Sequence, residues 1–239
     1  MKNRIIQLGF ALCLLLVMQT LALAQNKKKW NVGITAGYGK DFFNKQFHMQ
    51  KSMIPPGAIT HFKSFNSLKS AISVERFLKS RLSIKAQAEY SVLEMPNDVL
   101  FEIVSLAWIP KNERHHWAAF SLGVRKYFKS SSRFKVFAEL GAQGDYFLGY
   151  RRFPHGYEHK FHWGAEDYFR VVPSVNAGLG ISWRRFILSA DYQANVAQTF
   201  AMDMAEIYNN PGLPKRSVTR QGVSLKATFL LIKAGEQWY

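Results

Sequence analysis

The sequence predicts an all-β protein: an eight-stranded antiparallel up-and-down transmembrane β-barrel. Two observations predict it. Apolar and polar residues alternate along eight long segments, and the connections between these segments are alternately long and short. Alternation with a period of two is typical of strands rather than helices. The segments are longer than an ordinary strand of about 5–6 residues, and they match the roughly 9–11 residues that a tilted strand needs to cross a bilayer.

Each segment has an apolar face opposite a face of polar residues and glycines. In the segment 82–92, for example, Ile84 and Ala86 alternate with Ser83 and Lys85. The eight segments are residues 30–38, 68–78, 82–92, 118–128, 134–148, 169–183, 186–196 and 223–231. Aromatic residues collect near the segment ends, as expected of girdles at the two lipid–water boundaries. These aromatic residues are Trp30, Tyr38, Tyr90, Tyr127, Phe128, Tyr146, Trp183 and Phe186.

The connections give a second signal that is independent of the alternation. The short connections cover residues 79–81, 129–132 and 184–185, and the long ones cover 40–67, 93–117, 149–168 and 199–222. Outer-membrane barrels have short periplasmic turns, long outer loops and both chain ends inside. Eight strands fit this order. The apolar segment 99–109 could be a further strand, so a barrel of ten strands is the alternative; we interpret the segment as part of the second outer loop.

The first 24 residues are predicted to be a signal peptide. Lys2 and Arg4 precede an apolar stretch that ends in small residues at Ala22 and Ala24, which is the usual pattern before a cleavage site. The barrel domain would then cover residues 25–239. The only cysteine, Cys13, lies inside the signal peptide. The mature chain would therefore have neither a disulfide nor a thiolate site.

The polar faces place four acidic and four basic residues inside the predicted barrel. An eight-stranded barrel is just wide enough for its own side chains to fill it, and an unpaired buried charge costs several kcal/mol. We therefore expect a plugged structural interior, with a gated ion path or a proton-linked switch as the alternative. Leu140 should face lipid, so we expect Leu140→Arg to destabilise the barrel far more than Glu139→Gln. The predicted lumen charges are Glu75, Lys85, Glu89, Arg125, Lys135, Glu139, Asp191 and Lys226.

The remaining positive charge is expected at the barrel rims and in the loops. The net charge of the whole chain is +16, which could indicate nucleic acid as a partner. An exported chain meets anionic lipid and lipopolysaccharide phosphate instead. We therefore expect outer-membrane lipid and lipopolysaccharide as partners, and no nucleic acid. The contact residues should lie in the outer loops, and Arg220 is expected in the same loops. The candidate contacts are Arg151, Arg152, Lys160, Lys215 and Arg216.

A resemblance supports the fold. The chain has an Ala24–Gln25 cleavage junction, an opening strand at 32–37 and a hairpin at 72–84. In these features it resembles the small outer-membrane β-barrel family of the Bacteroidetes that includes the PorT-like proteins, and more distantly the eight-stranded OmpA-type barrels. The resemblance implies the barrel fold and a location in the cell outer membrane. One departure concerns the last strand, where Lys233 and Gly235 interrupt the apolar face before Tyr239. That strand either stops near Leu231 or runs unusually long.

The sequence predicts no catalytic, cofactor or metal site. His115, His116 and Ser121 lie close in sequence, but no nucleophile motif surrounds them. The three histidines between residues 155 and 162 match no standard zinc-ligand spacing. The first hypothesis is therefore a non-enzymatic outer-membrane barrel with a structural, adhesive or secretion- and assembly-related role. The alternatives are a lipid-modifying enzyme on a barrel and a small anion-selective channel. The expected partners include the barrel-assembly machinery during insertion and envelope or secretion-system proteins.

Overall fold

The computed structural model describes residues 29–43, 65–79, 81–96, 112–128, 134–152, 161–163, 171–203 and 215–234. The predicted signal peptide and the segment 99–109 lie outside these residues. Within the described ranges there is no helical stretch with the length and hydropathy that a bilayer-crossing helix needs.

Eleven strands make up the secondary structure of the described residues. They are β1 (Trp30–Phe43), β2 (Phe65–Lys79), β3 (Leu82–Pro96), β4 (Asn112–Tyr127), β5 (Phe134–Arg152), β6 (Phe161–Trp163), β7 (Val171–Trp183), β8 (Phe186–Asn195), β9 (Phe200–Asp203), β10 (Lys215–Val218) and β11 (Arg220–Ile232).

Eight of these strands form one closed antiparallel barrel. The strand order is β4-β3-β2-β1-β11-β8-β7-β5, and β4 pairs with β5 to close the circle. The first and last barrel strands meet along a seam in which Ile34 lies opposite Phe229. The predicted eight-stranded barrel is therefore confirmed. The ten-stranded alternative is wrong, because β3 and β4 already pair with each other from Leu82–Lys126 to Pro96–Asn112.

The polar and apolar residues that alternate in the sequence lie on opposite faces of the barrel wall. In β4, Ser121 and Arg125 point inward and are buried, whereas Phe120, Leu122 and Val124 are exposed on the exterior. The pleat of a strand turns successive side chains to opposite faces. The apolar residues face outward here, so the barrel is the inverse of a water-soluble protein with an apolar core.

Several strands extend farther toward the long connections than the sequence predicted. β3 ends at Pro96, β4 begins at Asn112 and β5 ends at Arg152. These extensions contain charged residues such as Glu94 and Arg114, which break the apolar alternation. Backbone hydrogen bonds between neighbouring strands do not depend on that alternation, so pairing continues beyond the apolar band. β11 ends at Ile232, which agrees with the shorter of the two predicted endings.

The start of β1 and the end of β11 lie on the same side of the barrel as the short connections. The amide of Phe77, at the end of β2, donates to the Lys29 carbonyl over 3.0 Å. The amide of Ala234 donates to Asn31 Oδ1 over 2.7 Å. Two short turns contain arginines with positive φ, Arg81 at 71° and Arg184 at 52°. Tight hairpins require such backbone angles, so the predicted turn at 184–185 forms even without a glycine.

Candidate functional site in the lumen and at the long-loop rim

The lumen contains three layers of side chains. The layer nearest the short turns, here called the basal cluster, is apolar and aromatic. It consists of Phe77, Tyr127, Phe137, Ile187, Leu230 and Ala234. Tyr127 stands 5.5 Å from both Phe77 and Phe137, measured between ring centroids. Each barrel strand that contributes to the cluster does so near its end, so the cluster closes the lumen on this side.

Tyr127 corrects one expectation of the sequence analysis. It was predicted to belong to the aromatic girdle at the lipid boundary, but its side chain is buried in the lumen with 1% of its surface exposed. The position follows from the pleat, because Tyr127 shares the inward phase of Arg125. Its hydroxyl donates to Glu75 over 3.0 Å, and a buried hydroxyl needs such a partner. The strand phase, and not the residue type, decided its location.

The middle layer, here called the central network, consists of ion pairs. Arg125 donates to Glu139 through Nε at 3.1 Å and through Nη2 at 2.7 Å, and to Glu75 through Nη1 at 3.4 Å. Lys85 donates to both oxygens of Glu139, at 3.0 and 3.2 Å. Two cations therefore share one carboxylate in the middle of the barrel.

The second half of the central network lies across the lumen. Lys226 Nζ is 2.7 Å from Glu89 and 3.5 Å from Asp191. Lys69 lies 3.8 Å from Glu89 and donates to Gln193 Oε1 over 3.5 Å. The predicted lumen charges thus form two groups of direct contacts, one of Glu75, Arg125, Glu139 and Lys85 and one of Glu89, Lys226 and Asp191. The eighth, Lys135, is half-buried and follows the same inward phase at the start of β5.

Free space in the central network is small. A cavity lies between Lys85, Glu139, Asp191, Gln193 and Lys226, and the centre of a water molecule has only about 10 Å³ to occupy there. That is roughly the volume needed to place a single water. This cavity therefore has room for about one water molecule among the paired charges.

The third layer, here called the upper cluster, lies toward the long connections. Its apolar part consists of Trp117, Phe147 and Val172, with Tyr150 packed against it. The rings of Trp117 and Phe147 meet edge to face at 4.9 Å. β5 contains a bulge opposite His116 and Trp117. The bulge shifts the alternation of β5, so that both Phe147 and Tyr150 lie in the upper cluster. Gly149 takes a φ of 152° at the bulge, a backbone angle that other residues rarely adopt.

Arg220 joins the upper cluster and corrects a second expectation. It was predicted in an outer loop, but it begins β11 and is buried. Its guanidinium lies over the ring of Trp117 at 4.4 Å and within 3.7 Å of Asp41 and 3.4 Å of Asp145. Asp145 also accepts hydrogen bonds from Gln143, Ser174 and Gln193. Three further lumen charges were not predicted from the sequence, although they occupy inward positions of their strands: Lys69, Asp41 and Asp145.

The histidine and serine candidates for catalysis are not brought together. His115 points into the lumen, whereas His116 points outward and shares a hydrogen bond of 2.5 Å with the Tyr90 hydroxyl. Ser121 is buried and follows His115 by six residues along β4. At the rise of a strand, six residues correspond to about 20 Å. A serine nucleophile needs its base within hydrogen-bond reach, so these three residues form no triad. Among the described residues, no group of three or more potential ligands is arranged to hold a metal ion.

The long-loop rim contains a cationic and aromatic patch on the exterior. The guanidinium of Arg151 lies 5.9 Å from the centre of the Phe161 ring. Phe161 in turn meets Trp163 at 4.6 Å and His116 at 5.1 Å, both edge to face. Arg151 is thus the predicted lipid contact whose side chain the structure places. Arg152, Lys215 and Arg216 lie in strands whose backbone alone is described at these positions, and Lys160 lies outside the described residues.

The exterior wall between the two rims is apolar. Leu225 and Leu140 expose 70% and 67% of their surfaces. At the short-turn end, aromatic rings follow one another around the wall. Phe134 stacks on Trp183 at 6.0 Å, Trp183 on Phe186 at 6.4 Å, and Phe186 meets Phe229 at 5.3 Å. This row matches the predicted girdle at Trp183 and Phe186.

Solved structures with a similar arrangement were found by comparison. The outer membrane enzyme PagL is 12% identical, with a TM-score of 0.45 over 82% of this chain and 98% of that one. Neisserial surface protein A is 10% identical, with a TM-score of 0.43 over 84% and 96%. The attachment invasion locus protein Ail of Yersinia pestis, in complex with the heparin analogue sucrose octasulfate, is 10% identical, with a TM-score of 0.38 over 85% and 99%. No protein-family model and no curated protein matches the chain, so the PorT-like resemblance stays a prediction.

Proposed function

We propose that the protein is a non-enzymatic outer-membrane β-barrel with a structural, adhesive or secretion- and assembly-related role in the cell envelope. The observation that carries this proposal is the inversion of the barrel: the wall is apolar outside, and the lumen contains paired charges between the basal cluster and the upper cluster. Such a molecule has its functional surfaces on the exterior wall and at the long-loop rim.

The exterior wall supports the membrane location. Water-soluble monomers rarely expose contiguous apolar patches larger than a few hundred Å². Here outward-facing leucine, valine, isoleucine and aromatic side chains surround the whole barrel. A closed barrel also satisfies every backbone hydrogen bond between strands, which is the condition for spanning hydrocarbon. The signal peptide 1–24, predicted from the sequence, would supply the export route.

The lumen argues against the channel hypothesis. Ion flow needs a continuous aqueous path, but the basal cluster, the central network and the upper cluster each occupy the lumen at a different height. The enzyme hypothesis gains no support from the residues considered for catalysis, because His115 and His116 are separated from Ser121 along β4. We therefore favour a role that depends on binding at the rim. Arg151 and its aromatic neighbours fit contact with anionic lipid or lipopolysaccharide phosphate.

Fractionation tests the location and the processing together. The protein, expressed in a Gram-negative host, should be recovered in the outer membrane with Gln25 as its first residue. It should also migrate faster in gel electrophoresis before boiling than after it, because the closed barrel resists detergent. Recovery in the soluble periplasm, or an intact segment 1–24, would contradict the proposal.

Conductance measurements separate the closed barrel from a channel. Wild-type protein reconstituted in planar bilayers should show no stable openings. Phe137→Ala should also show no stable openings, because the central network still occupies the lumen when the basal cluster has lost one ring. Stable anion-selective openings of the wild type would instead support the channel hypothesis. Affinity purification from the native membrane should then identify the envelope protein or lipid that the barrel binds.

A further inference from the structure

We propose that a groove in the exterior wall binds one phosphate-bearing lipid, with an acyl chain lying in the groove and the phosphate held by Lys40. The inference rests on the membrane location proposed above. It assigns a specific ligand class to a part of the wall that the sequence analysis did not distinguish from the rest.

The groove runs across β1, β11, β8 and β7 to β5. One concavity, of about 750 Å³, has Ala138, Ala177 and Ala190 at its floor. A second, of about 590 Å³, continues it past Ala36 and Ala227. The two concavities share Tyr38, Ala190 and Leu225 in their linings, so they form one continuous depression. Each of the two concavities taken alone has a volume in the range of small-molecule sites.

Strand register creates the depression at this position. Ala190 lies opposite Leu225 on β11 and opposite Leu179 on β7. Ala177 lies opposite Tyr192 in the same way. Small side chains therefore alternate with large ones that stand up as walls. Val124 and Leu140, by contrast, are two large residues that face each other between β4 and β5.

A polar end makes the groove amphipathic. Lys40 lines the larger concavity, is exposed, and follows Tyr38 on the outward face of β1 toward the long connections. Its neighbour on β2 is Asn66. Nearby, the Tyr192 hydroxyl donates to Gln221 Oε1 over 3.0 Å, which holds one wall of the groove in place. A cation at the end of an apolar groove matches a lipid whose phosphate joins its acyl chains.

The charge of Lys40 favours a lipid over a second copy of the chain as the occupant of the groove. Two copies that pair through this face would be related by a twofold axis along the membrane normal, so the same patch would meet itself. Both Lys40 side chains would then stand at the same height on either side of one interface. Like charges brought together in this way oppose association. A phosphate instead gains a favourable contact with the lysine near the membrane surface.

Native mass spectrometry of the detergent-solubilised barrel tests the groove. The probes are lipid A, phosphatidylglycerol and an uncharged diacylglycerol, so that the first two also distinguish the source of the phosphate. Ala190→Leu and Ala177→Leu each fill the floor and should weaken retention of all three lipids by about tenfold. Ala142→Leu is the matched control, because Ala142 faces outward on β5 but does not line the groove. It should retain lipid as the wild type does.

Lys40→Gln tests the polar end separately. It should weaken retention of the two phosphate-bearing lipids by about tenfold and leave retention of the diacylglycerol unchanged. Equal retention by the groove variants and Ala142→Leu would overturn the proposal. A lipid-free dimer that Ala190→Leu abolishes would overturn it in favour of a second copy. Heat-modifiability of each variant shows that the barrel has formed. If a groove variant forms a barrel, inserts and retains lipid as the wild type does, only the groove proposal is contradicted. If the protein fails to reach the outer membrane, the proposed function is contradicted.

Discussion

Glu139 Oε2 accepts a 2.7 Å hydrogen bond from Arg125 Nη2, while Oε1 of the same carboxylate accepts from Lys85 at 3.0 Å. This single carboxylate therefore neutralises two buried cations that come from β4 and β3. Substitution of Glu139 should therefore remove the counter-charge that both cations share.

Glu139→Gln should destabilise the barrel by about 3–5 kcal/mol, because it leaves buried cations without their shared counter-charge. The effect should equal or exceed that of Leu140→Arg, for which the cost at the middle of a membrane is about 2–4 kcal/mol. This replaces the sequence-based expectation of a much milder effect. Urea unfolding in lipid vesicles measures both. Glu94→Gln is the control: its pair with Arg114 is half-exposed, so the cost should be below about 1 kcal/mol. A cost of Glu139→Gln no larger than that of the control would contradict the prediction.

Arg220→Lys should destabilise the upper cluster although it keeps the positive charge. Lysine cannot present a planar guanidinium to Trp117 while reaching both Asp41 and Asp145. A double-mutant cycle with Trp117→Phe isolates the stacking contact, and we expect a coupling free energy of about 0.5–2 kcal/mol. Strict additivity of the two substitutions, within about 0.3–0.5 kcal/mol, would show that the ring and the guanidinium do not interact.

Gly141→Ala should interfere with the pairing of β4 and β5. A Cβ at Gly141 would stand 2.8 Å from the Leu122 carbonyl oxygen and 3.0 Å from Gly123 Cα, and backbone atoms cannot move aside as a side chain can. Overpacking of this kind costs about 1–3 kcal/mol. Gly144→Ala, three residues along the same strand, is the control, because nothing lies within 4 Å of a Cβ there. The two variants are compared by urea midpoint, and equal midpoints would argue against the close approach of the two strands.

Cysteine labelling tests the orientation of the barrel. Val196→Cys, at the long-connection end of β8, should react with a membrane-impermeant maleimide on intact cells. Arg184→Cys, in the short turn between β7 and β8, should react only after the outer membrane is opened. Both native side chains are exposed, and the chain has a single cysteine, Cys13, within the predicted signal peptide. Labelling of Arg184→Cys but not of Val196→Cys in intact cells would reverse the orientation.

The wall of the barrel was predictable because a period of two records which face each residue occupies. The inward positions of Ser121 and Arg125 and the outward positions of Leu122 and Val124 follow directly from that period. Tyr127 and Arg220 were misplaced where residue type was preferred over strand phase: an aromatic side chain suggested a girdle, and an arginine suggested a loop. Lys69 was overlooked because the alternation is weaker in its segment.

The pairing of charges across the lumen could not be predicted from the sequence. Lys226 and Glu89 are 137 positions apart and lie on strands that are not neighbours in the sheet. Their contact depends on the curvature of the closed wall and on the register of every strand pair between them. The exterior groove has the same origin, since Ala177, Ala190 and Ala227 come to line one depression only when three strands are aligned.

The seam between β1 and β11 has a consequence for biogenesis. Because the first and last barrel strands are hydrogen-bonded to each other, the wall cannot close until the final strand has been synthesised and delivered. Every intermediate before that step presents two open strand edges, and such edges readily pair with other chains. We therefore expect a chain that is truncated before β11 to aggregate through its open strand edges rather than to form a smaller barrel.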